Sequence, residues 1–340
     1  MIRKPPVLVD PHFRRMEEIF SPSDRERLHD TVEVVWGRDE QMPIADARSA
    51  LVEAVAVVCV QWRYGNALEN AIRLRAIMDV GGSFPVGLDY QRCFDRRIRV
   101  LSAAPAFGPQ VAEMALGLAL AAGREIPAGD RAMRDGTEKW LHAGNEHTFL
   151  LYGKRTGFIG FGSLARSLRP LLAPFGCQVF AYDPWLSPGY LRSQGVEPIE
   201  LETLLESCPV IFVLSAPTTK NEAMLSRALL ERIRPGAVFV LVSRAHVVDF
   251  NALTELALEG RFKAAIDVFP EEPLAADHPI RRAPGAVLSA HRAGSVREGL
   301  WEIGAMVVDD LEAIARGLPP QRLQAAQPEL APMYTPGSAK

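Results

Sequence analysis

Cysteine is scarce. The 340 residues include four, Cys59, Cys93, Cys177 and Cys208, each more than thirty positions from the next. No C-x-x-C pair and no Cys/His cluster at zinc spacing occurs, which excludes a disulfide scaffold or a zinc module and predicts buried, reduced thiols. Long apolar runs are missing too. The longest strongly apolar stretch, Ala54 to Val60, is far short of the roughly 18 to 20 residues that cross a bilayer. Met1 to Phe20 carries charges throughout, with no apolar segment of signal-peptide length. Neither charge sign dominates: 38 basic residues face 41 acidic ones, so no global field gathers nucleic acid or an anionic membrane. These absences predict a cytoplasmic protein with no nucleic-acid or membrane partner and no metal site.

What the chain does contain is 48% apolar residues, enough for two ordinary cores at about 150 residues per domain. Short β-branched runs alternate with helical patterns, the signature of parallel sheets covered by helices. Five strands are predicted in a first block, at Val7 to Val9, Val32 to Val35, Val55 to Val60, Leu74 to Ile77 and Ile98 to Leu101. A helix from Gln110 to Arg124 then connects to a second block. There, six strands are predicted at Gly157 to Gly160, Val179 to Tyr182, Val210 to Leu214, Val238 to Val242, Ala264 to Ile266 and Ala286 to Ser289. Six strands with helical intervals fit the doubly wound dinucleotide-binding plan. Pro170 should kink the helix after the first of them. One more amphipathic helix is predicted from Val296 to Arg316. The proline-rich end, 319–340, reads as an extended or disordered tail.

Gly157-Phe-Ile-Gly160-Phe-Gly162-Ser163-Leu164-Ala165 leaves a predicted strand and opens a predicted helix, the context in which such glycines hold a pyrophosphate on helix N-terminal amides. Asp183 follows Gly162 by twenty-one residues, where a carboxylate accepts the ribose hydroxyls of NAD and repels a 2′-phosphate. No arginine lies from Tyr182 to Leu186, so NAD is expected rather than NADP.

Ligands of open parallel sheets bind beyond the carboxyl ends of the strands. Ser243-Arg244, Asp267 with Glu272, and His291 stand there after three successive predicted strands. Arginine, carboxylate and histidine together suit hydride transfer at the carbon of a 2-hydroxy or 2-oxo acid. Arg244 would grip the substrate carboxylate and carbonyl with a planar fork, and His291 would exchange the proton on the oxygen. Glu272 would bond the other ring nitrogen, fix the tautomer and favour the charged ring. Taken singly, Arg244 also reads as a strand-end surface arginine, Glu272 as one of two loop acids with Glu271, and His291 as a satisfied histidine. His246 competes for the proton role. His142 and His147 read as solvated loop residues.

Taken in order, Gly153 to Gly162, Ala181-Tyr-Asp-Pro184, Ser243-Arg-Ala245, Ile266 to Pro273 and Ala290 to Ser295 make the chain resemble the D-isomer-specific 2-hydroxyacid dehydrogenase family over roughly residues 50 to 318. The resemblance implies two doubly wound α/β domains with catalysis in the cleft between them. Residues 1–106 and 294–318 would form a discontinuous, flavodoxin-like substrate domain, and 107–293 an inserted Rossmann domain that binds NAD. It implies the Arg244, Glu272 and His291 roles, a homodimer built on the helix after Gln110, and cofactor contacts from Gly160, Gly162, Ser163, Leu164, Asp183, Ala216, Pro217, Val242, Ser243, Asp267, His291 and Ala293. Asp79 to Asp89 resembles the glycine loop whose amides hold the substrate carboxylate, with Gly81, Gly82 and Ser83 as its best matches.

Departures leave the substrate open. The glycine loop is longer than usual, Leu241 stands where an asparagine is common, Ala245 where a glycine is, and Ser215 where many members have histidine. Arg63 and Arg292 suggest a substrate with a second polar or anionic group, and Trp140 lies in an arm that reaches the partner's site in some relatives. The expected activity is reduction of a small 2-oxo acid such as glyoxylate or hydroxypyruvate. The alternatives are a short phosphoglycerate dehydrogenase and a non-catalytic, corepressor-like NAD-binding protein.

Overall fold

Strands buried on both faces are written as continuous apolar runs rather than as alternations, and this chain builds two sheets from such runs. In the computed structural model, which describes residues 4–334, contacts divide the chain into two compact units. One holds the residues up to Phe107 and those from Ser295 onward; the other runs from Gly108 to Gly294. The strands of the first unit are β1 (Pro6–Asp10), β2 (Glu33–Trp36), β3 (Ala56–Cys59), β4 (Ala76–Asp79) and β5 (Arg99–Ser102). The second unit carries β6 (Arg155–Ile159), β7 (Gln178–Tyr182), β8 (Glu197–Pro198), β9 (Val210–Val213), β10 (Val238–Leu241), β11 (Lys263–Ile266) and β12 (Val287–Leu288). β13 (Gln324–Ala325) returns to the first unit.

The first sheet runs β13-β5-β4-β3-β1-β2, parallel except for β13. Without that edge strand its order is the flavodoxin-like 2-1-3-4-5, in which the chain switches sides between β1 and β3. The second sheet runs β12-β11-β10-β9-β6-β7-β8, all parallel; β8-β7-β6-β9-β10-β11 is the doubly wound order 3-2-1-4-5-6, and β12 adds one strand beyond it. Its expected six strands are therefore seven. β8 escapes a sequence reading because two residues, one of them Pro198, carry no β pattern; proline is tolerated there because the strand lies at the edge.

Helix Gly108–Gly123 packs on helix Ser163–Leu172 and crosses β10 and β11 within the second unit. Pro170 sits in the last turn of its helix, which passes directly into a 3-10 turn at Ala173–Phe175, so the proline marks the helix end. Helix Arg297–Ala315 packs on the helices Met16–Ile19 and Pro22–Thr31 of the first unit.

The end of the chain departs from expectation. The segment after Leu318 was expected to be extended or disordered, but it is ordered as far as Tyr334; residues 335–340 lie outside the described part. The reason is chemical. Asp310, fully buried on the last long helix, accepts the backbone N–H groups of Gln321 (2.6 Å), Arg322 (3.0 Å) and Leu323 (2.8 Å), which aims β13 at β5. Tyr334 then stacks on Phe84 with ring centroids 4.4 Å apart.

Candidate active site

The glycine turn follows β6. Gly160 has φ +90°, and a side chain there would strike the backbone of Ser215, with its Cβ 2.6 Å from the Ser215 Cα. Only glycine fits. Gly162 faces open space and caps helix Ser163–Leu172 without any side-chain acceptor, so the first amides of that helix, Ser163 and Leu164 among them, are left for a ligand. Ala165 is fully buried in the helix-packing position.

Asp183 ends the neighbouring β7 and braces this turn. Its Oδ2 accepts Phe161 N–H at 2.8 Å and its Oδ1 accepts Trp185 N–H at 3.0 Å, which leaves further acceptor capacity on both oxygens. Beyond β9, Ala216 and Pro217 open a turn held by Asn221, which donates to the Ala216 carbonyl and accepts from Thr218 N–H. The buried hydroxyls of Ser215 and Ser243 lack hydrogen-bond partners among the described residues. Buried hydroxyls are normally satisfied, so together with the uncapped helix these atoms suit a polar ligand along the sheet edge.

At the end of β10, Val242 and Ser243 are buried and Arg244 is half-buried. Nη1 of Arg244 donates to the Ser243 carbonyl at 2.8 Å, and its guanidinium has no ion pair among the described residues. Burial holds its pKa below the usual arginine range, with the nearby charge of Glu272 opposing. His246 is engaged elsewhere, its Nε2 lying 3.1 Å from the Thr218 carbonyl.

Asp267 is fully buried at the end of β11. Its oxygens accept the N–H groups of Arg292 (2.9 Å) and Ala293 (3.0 Å), and its carbonyl accepts from His291 N–H at 2.8 Å. The expected cofactor contact is thus, in this structure, the clamp that shapes the histidine turn. It holds His291 at φ +50°, an uncommon backbone conformation for a side-chain-bearing residue. Nδ1 of His291 lies 2.6 Å from Oε2 of Glu272, whose Oε1 accepts Phe269 N–H at 2.9 Å. An ionised carboxylate only accepts, so Nδ1 carries the proton and Nε2 is left for chemistry on a 40% exposed side chain. Arg292 is exposed beside it.

The first unit corrects two expectations. Amides of the predicted glycine loop, Gly81 N–H (2.9 Å) and Ser83 N–H (3.1 Å), already donate to Oδ1 of Asp79, a fully buried residue at the end of β4. A carboxyl group without water takes the nearest donors, so these two amides are not free for a substrate carboxylate. Gly82, at φ +86°, lies against the ring of Phe107, which a Cβ would reach at 2.6 Å. Arg63 does not point outward; its Nε and Nη2 donate to Oδ2 of buried Asp10, which also accepts Tyr64 O–H at 2.8 Å. Sequence reasoning missed Asp79, although the strand-end rule that selects Asp267 selects it equally. Among the described residues, no three His, Cys, Asp or Glu side chains could hold a metal ion, and no helix is long and apolar enough to cross a membrane.

Residues 116–293 match the family described as D-isomer specific 2-hydroxyacid dehydrogenase, NAD binding domain. The chain belongs to this family, and those residues are its NAD-binding domain. More particularly, the chain is 32% identical over 234 residues to a D-3-phosphoglycerate dehydrogenase of Archaeoglobus fulgidus, covering 68% of this chain and 44% of that one. It is 29% identical to a glyoxylate reductase of Korarchaeum cryptofilum, covering 74% and 76%. A solved structure of a phosphoglycerate oxidoreductase from Rhizobium etli superimposes with a TM-score of 0.85 at 36% identity, covering 95% of this chain and 99% of that one. The chain spans about half the length of the first curated relatives it matches.

Proposed function

We propose that the chain catalyses hydride transfer between NAD(H) and C2 of a small 2-hydroxy or 2-oxo acid. The observation that carries this reading is the 2.6 Å pair of His291 and Glu272, one strand end away from an arginine with no ion pair among the described residues. Bound NAD would supply or accept the hydride. Arg244 directs its remaining N–H donors to the substrate carboxylate and carbonyl, which fixes the face of C2 that reacts. Nε2 of His291 gives a proton to the carbonyl oxygen as it becomes an alcohol and takes it back in the reverse direction. Glu272 keeps Nδ1 protonated and the ring aligned, while Asp267 sets the backbone turn that presents it. The uncapped amides of Ser163 and Leu164 hold the pyrophosphate, Asp183 the adenosine ribose, and Ala216, Pro217, Val242, Ser243 and Ala293 line the rest of the dinucleotide path.

The first unit is the substrate domain in this reading. The acid is small, as for relatives named glyoxylate reductase and D-3-phosphoglycerate dehydrogenase, and the chain works in the cytoplasm. It pairs with a second copy through the arm after helix Gly108–Gly123, where Ile126, Met133, Trp140, Leu141 and Leu150 are all more than half exposed. Purified protein is expected to oxidise NADH with at least one of glyoxylate, hydroxypyruvate, phenylpyruvate or 3-phosphohydroxypyruvate. His291→Ala should lower kcat by roughly 10²-fold or more, the scale of a lost general acid. Turnover unchanged in that variant would remove His291 from the mechanism; a wild-type protein that binds NADH but reduces no acid would favour the corepressor-like alternative.

A further inference from the structure

Between β9 and the helix Arg227–Leu230 the chain crosses the carboxyl edge of the second sheet with no helix or strand of its own. This stretch begins with Ser215, Ala216 and Pro217, on the proposed path of the dinucleotide, so its shape has to be fixed by individual hydrogen bonds. Some are internal. Asn221 donates to the Ala216 carbonyl at 2.8 Å and accepts Thr218 N–H at 2.7 Å. At the far end, Ala223 N–H donates to the His246 carbonyl at 2.8 Å, Leu225 N–H to the Val247 carbonyl at 2.9 Å, and Asp249 N–H to the Leu225 carbonyl at 3.0 Å. Those three bonds tie the last residues of the stretch to the segment after β10. They do not reach Ala216 and Pro217, and Pro217 has no N–H with which to be tied.

His246 supplies the missing tie. It stands in the 3-10 turn Ala245–Val247, immediately past Arg244, and its half-buried ring reaches back to the start of the stretch, with Nε2 3.1 Å from the Thr218 carbonyl. A carbonyl accepts and never donates, so Nε2 carries the hydrogen. Thr218 is itself buried, and its carbonyl has as its other partner the Asn221 N–H, at 3.3 Å. Among the described residues no other side chain from outside the stretch hydrogen-bonds to it. Removing the imidazole would leave a buried acceptor short of a donor and the Ala216–Pro217 turn braced by Asn221 alone.

We propose that His246 is a positioning residue for the cofactor: its Nε2–H, given to the Thr218 carbonyl, holds the Ala216–Pro217 turn in the shape that receives the dinucleotide. The inference rests on the proposed course of NAD past these two residues and deepens it. The histidine that competes with His291 for the proton in the sequence thus serves binding rather than proton transfer. A turn held before the ligand arrives does not have to be ordered when it binds, so the bond appears as affinity for NAD(H). Donor and acceptor both lie within the second unit.

Fluorescence titration with NADH of the wild type and three variants separates the hydrogen bond from the bulk of the ring. His246→Leu fills similar space without a donor. His246→Gln places an amide N–H as many bonds from Cβ as Nε2 is, and His246→Asn places one a bond too short to reach. The Kd for NADH should rise roughly three- to tenfold in the Leu and Asn variants, the scale of one net hydrogen bond. KM for NADH should rise with it, more than kcat falls, and His246→Gln should recover most of the affinity. Equal affinity in all four proteins would overturn the proposal. So would equal loss in all three variants, which would make the shape of the ring, not its N–H, the support. Because binding is read without any acid present, the expected pattern in a protein that reduces nothing would keep His246 in its role and sink the dehydrogenase reading. Turnover of an acid by variants with unchanged affinity would do the reverse.

Discussion

His291, Glu272 and Arg244 were legible because each follows an apolar run that reads as a strand, and residues just past parallel strands share one edge of the sheet. Burial and hydrogen bonding then decided what each could do. Asp267 and Asp79 occupy equivalent strand ends, but one is satisfied by amides on both oxygens and the other on Oδ1 alone. No spacing rule distinguishes them, because the difference lies in how the following loop turns. Asp183 braces the glycine turn through Phe161 N–H, and in the proposed reading its remaining acceptor capacity serves a ribose. Asp183→Ala should therefore narrow the preference for NAD over NADP by roughly tenfold, a charge-assisted hydrogen bond and a repulsion both lost. Because the brace goes too, KM for NAD should rise as well, and steady-state kinetics with both dinucleotides measures the two effects. Equal use of NAD and NADP by the unmutated protein would refute the role of Asp183.

Among the elements, long parallel strands and the helices Gly108–Gly123 and Arg297–Ala315 followed from apolar periodicity within a few residues of their observed limits. Of the three two-residue strands, β12 was expected but β8 and β13 were not. β8 and β13 exist because neighbouring strands offer unpaired edges, a condition set by the sheet and invisible in two residues of local sequence. The proline-rich end is the clearest instance: its composition predicts disorder, yet Asp310 draws in three consecutive amides and the segment docks. Asp310→Ala should cost about 2 to 3 kcal/mol of unfolding free energy in urea, the range for hydrogen bonds to a charged group. Amide exchange of Ala326, whose N–H donates to the Val100 carbonyl, should accelerate while that of β9 and β10 stays unchanged. Because Tyr334 stacks on Phe84 beside the glycine loop, the same variant should also raise KM for the acid more than it changes kcat.

Over the molecule as a whole, the exposed apolar arm from Ile126 to Leu150 is the largest departure from the rule that apolar side chains go inside. Size-exclusion chromatography with light scattering should give twice the chain mass, and replacing Trp140 and Leu141 by serine should shift the protein toward monomer without unfolding it; a wild-type monomer at assay concentration would refute pairing through the arm. The order of residues settled much of the rest. Runs of apolar residues dictated parallel sheets, glycines at the β6 turn dictated a helix N-terminus without a side-chain cap, and the spacing of Arg244, Glu272 and His291 put the three proposed catalytic residues just past successive strands. These follow from covalent geometry and local patterning, which act over a few residues. Two other matters were decided by groups brought together from separate parts of the chain: that Arg63 is spent on Asp10, and that the segment after Leu318 docks through Asp310 and pairs with β5. Hydrogen bonds are claimed by whichever partner burial leaves nearest, and only the tertiary fold determines which partner that is.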